Sequence, residues 1–195
     1  MTTANTSAGT NRGPTINRHK VGMLFFISSE IFFFLTLLSS YAYLSGAFGN
    51  LPKESLAVGR TFIFSLFLFS SSLTVWMAER AFHRGRNGAF RLWMLATIAL
   101  GLVFLTGQGI EYHELMTSGI TLSYDVFSSA FFTLTGFHGL HVITGLIMLS
   151  SLTGLSFAGK LGPKNESALA TIAYYWHFVD AVWVAVFSVA YLIFV

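Results

Sequence analysis

The chain contains no cysteine among its 195 residues, and only 10% of its residues are charged. The missing cysteine excludes disulfides, thiolate metal sites and thiol chemistry. Soluble domains carry roughly 25% charged residues, so this low fraction indicates that most of the chain faces something other than water. The sequence also lacks a phosphate-binding glycine loop, a credible Ser/His/Asp arrangement and an internal repeat. These absences argue against soluble enzymes and inverted-repeat transporters.

Apolar residues make up 54% of the chain and are concentrated in five stretches. Each stretch is near the ~20 residues that a helix needs to cross ~30 Å of hydrocarbon. The stretches cover residues 21–44, 59–78, 92–110, 126–151 and 170–194. We therefore predict an all-α integral membrane protein, a bundle of about five transmembrane helices within residues 18–195. Residues 1–17 contain no apolar run, and we expect a mobile cytoplasmic tail there.

The lysines and arginines predict the orientation of these helices. With the N-terminus inside, nine of them lie on the cytoplasmic side and two lie outside. The nine are Arg12, Arg18, Lys20, Arg80, Arg84, Arg86, Arg91, Lys160 and Lys164, and the two are Lys53 and Arg60. The positive-inside rule then predicts a cytoplasmic N-terminus and an external C-terminus. Since the net charge of +3 comes from short loops, we expect no nucleic-acid partner.

Five ionisable side chains fall inside the predicted spans. They are Glu30, His138, His141, His177 and Asp180. A charged group at mid-membrane costs about 2.5–3.5 kcal/mol on insertion scales, so each requires a reason. His138 and His141 are three residues apart and share a helix face, as do His177 and Asp180. The spans therefore bring polar groups from three helices to about one level of the membrane.

Three interpretations of these polar residues stay open. Hydrogen bonds among them could lock the helices together, or they could serve proton transfer or a partner subunit. Two histidines and two carboxylates could also ligate a transition metal, although the spacing proves no common centre and we expect none. For Glu30, phenylalanines on or near its helix face predict poor solvation, which disfavours the charged form. Glycines at 101, 107, 109, 136, 139 and 145 predict close helix approach.

Three stretches of the chain resemble the cytochrome oxidase subunit III family. Residues 28–33 (SSEIFF) resemble its glutamate-bearing helix. Residues 108–145, with Glu111 and Tyr112 followed by FFTLTGFHGLHV at 131–142, resemble its longest signature. Residues 174–183 (YYWHFVDAVW) are similar to its final-helix motif. The three stretches occur in the family's order and spacing.

The resemblance implies a non-redox core subunit of a proton-pumping haem-copper oxidase in the bacterial cytoplasmic membrane. Haems and copper are then expected in partner subunits, with no catalytic, cofactor or metal site in this chain. The main contact is expected with subunit I, and further contacts with subunit II, small subunits and phospholipids. By motif match Glu30 is the family's buried glutamate, supporting proton uptake. His138, His141, His177 and Asp180 match its polar helix contacts.

The chain departs from the family's mitochondrial form, which has seven helices, because the first two have no counterpart here. Those two helices form one wall of the family's lipid cleft. Five-helix versions occur in bacterial cytochrome c and quinol oxidases, so the electron donor stays open. Alternatives are a quinol-oxidase subunit III, a relative associated with nitric oxide reductase and, in another class, an autonomous proton or ion transporter.

Overall fold

The computed structural model describes residues 18–48 and 56–193, and all regular secondary structure in these ranges is helical. The helices are α1 (Arg18–Phe48), α2 (Val58–His83), α3 (Asn87–Thr117), α4 (Val126–Phe157) and α5 (Glu166–Phe187). A 3₁₀ turn (Pro163–Asn165) precedes α5, and a π-helical segment (Ser188–Ile193) continues it. All five helices are long and apolar enough to cross a membrane, which confirms the predicted fold class. The tail 1–17 and residues 49–55 and 194–195 lie outside the described residues, so the domain division stays a prediction.

Three connections turn at glycines in the left-handed region of backbone space. Gly85 has φ 67° between α2 and α3, Gly119 has φ 86° after α3, and Gly159 has φ 69° after α4. The backbone N–H of Arg86 donates to the carbonyl of Ala81 over 2.9 Å, as in a Schellman C-cap. Glycine adopts this conformation without a Cβ clash, so the connection between α2 and α3 is a tight turn.

The start of α4 is fixed by a side-chain cap. Asp125 is extended, and its carboxylate accepts a hydrogen bond from the backbone N–H of Ser128. This contact satisfies one of the four N–H groups that a helix start leaves without a partner. The helix begins at Val126, the first residue of the predicted fourth span.

The third span is longer than the predicted 92–110, because α3 continues to Thr117. The predicted span ends at residue 110, which puts Glu111 and Glu114 on the outer side of the membrane, beyond the helix. Both are helical: Glu111 is 2% exposed, and Glu114 forms a bidentate ion pair with Arg60 of α2. The acids therefore have partners within the bundle, and the helix does not need to end where the apolar run ends.

The five helices differ greatly in how much of their surface the bundle covers. Helices α2 and α3 form an antiparallel hairpin, α1 packs on α4 and α5, and α5 also contacts α2. In the most apolar stretch of α1 only 6% is buried within the protein, against 56% for α5. Phe25, Phe32 and Tyr43 of α1 are each more than 70% exposed. In a membrane such side chains face lipid or another subunit.

Two tryptophans of α5 hydrogen-bond to two serines of α2. The indole N–H of Trp176 donates to Ser71 Oγ over 2.8 Å, and that of Trp183 donates to Ser65 Oγ over 2.7 Å. Both rings are fully buried. Because these indole N–H groups have no water to bond to in hydrocarbon, the two serines hold α5 against α2 in a defined register.

Only some of the predicted glycine contacts bring helices close together. A Cβ at Gly145 would lie 2.7 Å from the ring of Trp176, and one at Gly101 would lie 2.9 Å from Leu146. A Cβ at Gly139 would meet nothing within 4 Å. The close approach of α4 to α5 therefore depends on Gly145, whereas Gly139 lies where a side chain has space.

Candidate functional site

The five polar residues predicted inside the membrane lie at three separate places. Glu30 pairs with His141 between α1 and α4, and His177 and Asp180 of α5 both contact α2. His138 lies among aromatic rings between α3 and α5. In the described part of the chain, the five do not form one connected hydrogen-bonded cluster.

Glu30 of α1 and His141 of α4 form a hydrogen-bonded pair. His141 Nδ1 lies 2.7 Å from the carbonyl oxygen of Phe137, one turn earlier in α4. A carbonyl only accepts, so Nδ1 carries a hydrogen. His141 Nε2 lies 3.1 Å from Glu30 Oε2, and this contact needs one further proton, on the carboxyl or on the ring. The pair has no net charge in either form, which suits its depth in the membrane.

Aromatic rings surround this pair but leave one side of it open. The rings of Phe34 and Tyr175 lie 5.0 and 6.5 Å from the His141 ring, centroid to centroid. The hydroxyl of Tyr175 donates to the backbone carbonyl of His141 over 3.1 Å, which fixes α5 beside the pair. The side chains of Glu30 and His141 stay 19% and 16% exposed. A proton or a neighbouring molecule can therefore reach them from outside the bundle.

A serine joins His177 to Asp180. Ser72 Oγ of α2 donates to Asp180 Oδ2 and lies 2.9 Å from His177 Nδ1. Since the hydroxyl has one hydrogen, it accepts from His177 while it donates to Asp180. Asp180 is 6% exposed, and its Oδ1 has no hydrogen-bond partner in the described part of the chain. The predicted shared face of His177 and Asp180 thus binds α5 to α2 through Ser72.

His138 is fully buried and serves packing. Its ring stacks on Trp183 with a centroid distance of 4.7 Å and meets the edge of Phe104 at 5.9 Å. Within residues 18–48 and 56–193, neither ring nitrogen has a hydrogen-bond partner. His, Asp and Glu side chains of these ranges do not gather in threes at a spacing suited to a metal ion. The absence of a metal from this chain stays a prediction.

Two further groups of polar residues were not among the predicted site residues. Glu111 Oε2 accepts from the hydroxyl of Tyr191 over 2.7 Å, and Glu111 Oε1 accepts from Thr61 over 3.2 Å. The apolar run ends before Glu111, and the hydropathy pattern gave no sign that it is buried. Ser65 and Ser72 are seven residues apart, which places them on one helix face, and this spacing was the available signal for the polar face of α2.

Two apolar clefts lie between α1 and α5. The cleft near the start of the two helices has a volume of about 470 Å³ and includes Phe26, Thr171 and, at its polar end, Lys164. The deeper cleft has a volume of about 230 Å³ and includes Phe34 and Phe178. Both open on the poorly covered side of α1, where a rod-shaped apolar ligand has room.

Comparison with known proteins points to one family. A sequence model described as Cytochrome c oxidase subunit III matches residues 1–194. The probable cytochrome c oxidase subunit 3 of Mycobacterium leprae (strain TN) is 37% identical over 192 residues, covering 96% of this chain and 95% of that protein. Cytochrome c oxidase subunit 3 of Corynebacterium diphtheriae is 35% identical over 182 residues, covering 91% and 89%. That of Marchantia polymorpha is 36% identical over 181 residues, covering 88% of this chain but only 67% of the Marchantia protein.

Proposed function

Because the chain belongs to the cytochrome c oxidase subunit III family, we propose that it is the non-redox core subunit of a respiratory haem-copper oxidase. The oxidase reduces oxygen to water and pumps protons, with its haems and copper in subunits I and II. The hydrogen bond between Glu30 and His141 carries this proposal, because it is a proton-holding pair on the open side of the bundle. Such a pair can assist proton uptake, but it does not transfer electrons.

The pair supports proton uptake by exchanging its shared proton at low electrostatic cost. Moving the proton from Glu30 Oε2 to His141 Nε2 converts a neutral pair into an ion pair without changing the net charge. The Nδ1 hydrogen bond to Phe137 keeps Nε2 aimed at the carboxyl throughout. Loss of the proton to a neighbouring group would leave the pair with a net charge of −1, and a proton from the open side would then restore the neutral pair. In this proposal, subunit I takes up these protons during turnover.

Phospholipid binding is the second part of the proposed role. The clefts between α1 and α5 run from Lys164 at the basic end to Phe34 and Phe178 deeper in the bundle. A lipid phosphate beside Lys164 and acyl chains along the apolar clefts would match this gradient of polarity. The lipid would also cover part of α1, which the protein itself leaves largely exposed. Subunit I, as the main contact, subunit II, small subunits and further lipid cover the other apolar faces.

We place the N-terminus in the cytoplasm and the C-terminus outside, in a bacterial cytoplasmic membrane. Five spanning helices put the two ends on opposite sides. The α2–α3 turn carries Arg84 and Arg86, and the α4–α5 connection carries Lys160, so the basic residues gather at one end of the bundle. The positive-inside rule assigns that end to the cytoplasm.

Purification of the tagged chain from its native membrane in mild detergent tests the proposal. We expect haem-bearing partners in the subunit list, a haem spectrum, and oxygen consumption by the preparation. After separation from the complex, elemental analysis of this chain should give no stoichiometric iron or copper. A chain that purifies without a haem-bearing partner would instead support the autonomous transporter, and retained metal would place a redox centre in this chain.

A further inference from the structure

A buried carboxyl lies near the end of α3 that we place on the outer side, apart from the pair formed by Glu30 and His141. The carboxyl belongs to Glu111, which is 2% exposed. Its Oε2 lies 2.7 Å from the hydroxyl of Tyr191, and its Oε1 lies 3.2 Å from the hydroxyl of Thr61. Both hydroxyl-bearing residues are buried as well. The protonation of Glu111 therefore depends on these partners and not on bulk water.

The contacts around Glu111 need one more hydrogen than the two hydroxyls supply. Thr61 Oγ1 lies 3.2 Å from Glu111 Oε1 and also 3.2 Å from the carbonyl oxygen of Ala57, four residues earlier. A carbonyl only accepts and a hydroxyl has a single hydrogen, so Thr61 cannot donate fully to both. The hydrogen of Tyr191 is used in its own contact with Oε2. All three contacts are hydrogen bonds at once only if the carboxyl supplies the third hydrogen, carried on Oε1 and donated to Thr61.

The charges near Glu111 also favour a neutral carboxyl. Arg60 precedes Thr61 on α2, and its guanidinium forms a bidentate pair with Glu114. In the described ranges Glu111 takes part in no salt bridge. A charged Glu111 would therefore add a second negative charge beside one arginine, in a position closed to water. The other titratable side chains on the surrounding helical elements are Tyr41, Tyr112, His113, Asp125 and Tyr191, of which only Tyr191 hydrogen-bonds to Glu111 in the described part of the chain.

The backbone and the packing around Tyr191 hold its hydroxyl against the carboxyl. Tyr191 lies in the π-helical segment that continues α5. Such segments are rare and occur frequently at functional sites. Within the segment, the carbonyl of Ala190 accepts a hydrogen bond from the hydroxyl of Tyr41 of α1 over 3.4 Å. The ring of Phe131 of α4 meets the ring of Tyr191 at a centroid distance of 5.8 Å. Helices α1 and α4 thus fix the position of this hydrogen-bond donor.

We propose that Glu111 is a second proton-binding site, neutral at neutral pH, which exchanges its proton with the outer aqueous phase through Thr61. In the neutral state Oε1–H donates to Thr61, and Thr61 donates to Ala57. When the proton leaves to water, the Thr61 hydroxyl turns and donates to Oε1, so that Thr61 and Tyr191 both stabilise the carboxylate. Solvent is close, because the side chain of Glu114, one turn further along α3, is 51% exposed. The site is independent of the role of Glu30, and its test requires no turnover.

Infrared spectroscopy of the purified complex tests the site, because the C=O stretch of a protonated carboxyl is resolved from the bands of ionised carboxylates. The difference between the wild-type and Glu111→Gln spectra at neutral pH should contain a protonated-carboxyl band. The band should shift after transfer to D₂O, since the hydrogen on Oε1 exchanges. Glu166→Gln, at an exposed carboxyl at the start of α5, is the control and should keep the band. Carboxylate bands in the difference spectrum, or a band that does not shift in D₂O, would overturn the proposal.

Two variants that keep the Glu111 carboxyl test its partners, and they decide the question even if the Glu111→Gln complex does not assemble. Tyr191→Phe keeps the ring and removes the donor to Oε2, so the protonated-carboxyl band should move to higher frequency. Thr61→Val keeps the shape of the side chain without its hydroxyl and should slow exchange of the band into D₂O severalfold. Thr61→Ser restores the hydroxyl and should restore the exchange rate. An unmoved band in Tyr191→Phe, or exchange in Thr61→Val at the wild-type rate, would refute the site.

Discussion

His141 Nε2 on α4 lies 3.1 Å from Glu30 Oε2 on α1, which joins two residues that are 111 positions apart in the chain. Because His141 Nδ1 already donates to a backbone carbonyl, the contact with Glu30 is held by a single proton. This arrangement allows a carboxyl and an imidazole to lie within the membrane without a net charge. It also gives the exposed helix α1 a polar attachment to the rest of the bundle.

The hydrogen bond from Trp183 to Ser65 should stabilise the bundle measurably. Trp183→Phe and Ser65→Ala each remove one partner, and we expect each to lower the free energy of unfolding by about 1–2 kcal/mol. The double variant should lose less than the sum, with a coupling energy of about 0.6–1.7 kcal/mol, measured by unfolding in mixed detergent micelles. Ser70→Ala is the control, because Ser70 bonds only to the carbonyl of Leu66 in its own helix. Strictly additive losses would mean that this bond contributes nothing.

Gly145 should tolerate no side chain, whereas Gly139 should. A Cβ at Gly145 would lie 2.7 Å from the buried ring of Trp176, so Gly145→Ala should destabilise the bundle by about 1–3 kcal/mol. Gly139→Ala meets nothing within 4 Å and should be neutral or stabilising by up to about 1 kcal/mol, since alanine favours helix. Thermal unfolding of both variants in the same detergent makes the comparison. Equal effects at the two positions would contradict the packing of α4 against α5.

The orientation of the chain can be tested with single cysteines, because the sequence has none. Thr121→Cys lies in the exposed connection after α3, and Lys160→Cys in the exposed connection after α4. In intact cells an impermeant thiol reagent should label position 121 and not position 160. After the cells are opened, position 160 should react as well. Labelling of position 160 alone in intact cells would reverse the orientation, and labelling of both would show that α4 does not span the membrane.

The features predicted correctly from sequence are those fixed by neighbouring residues. Five apolar runs of sufficient length predict five spans, because a helix satisfies its own backbone in lipid. The turn at Gly85 and the start of α4 after Asp125 also follow from local backbone chemistry. The resemblance of three motifs also indicates the family from the sequence alone.

The partners of the polar residues could not be predicted in this way. His138 and His141 share a face by spacing, yet His138 stacks on Trp183 while His141 turns to Glu30. Which neighbour each meets depends on how the helices are arranged around one another, and hydropathy carries no information about that arrangement. The end of the apolar run at residue 110 predicts that Glu111 lies outside the helix. Its burial depends on Tyr191, 80 residues away in sequence.

Substitution of Glu30 separates its structural role from its role in proton exchange. In Glu30→Gln the amide N–H can donate to the Nε2 of a neutral His141, so the link between α1 and α4 should persist and the complex should assemble. Glu30→Ala leaves His141 Nε2 without a partner and leaves a hole beside it. We therefore expect the free energy of unfolding to fall by about 1–3 kcal/mol, and the assembled yield to be lower. Glu166→Gln, at an exposed carboxyl at the start of α5, is the control for removal of a negative charge.

The most direct test is the proton-to-electron ratio and oxygen consumption of the Glu30→Gln complex, followed from the first turnovers through sustained activity. We expect normal assembly and a substantial initial rate, because we propose that the haems and copper lie in other subunits. The deficit should appear as a reduced pumping ratio or as earlier inactivation than in the wild type and Glu166→Gln complexes. A fully assembled Glu30→Gln complex that reduces no oxygen from its first turnover would contradict a supporting role and make Glu30 essential for the reaction itself.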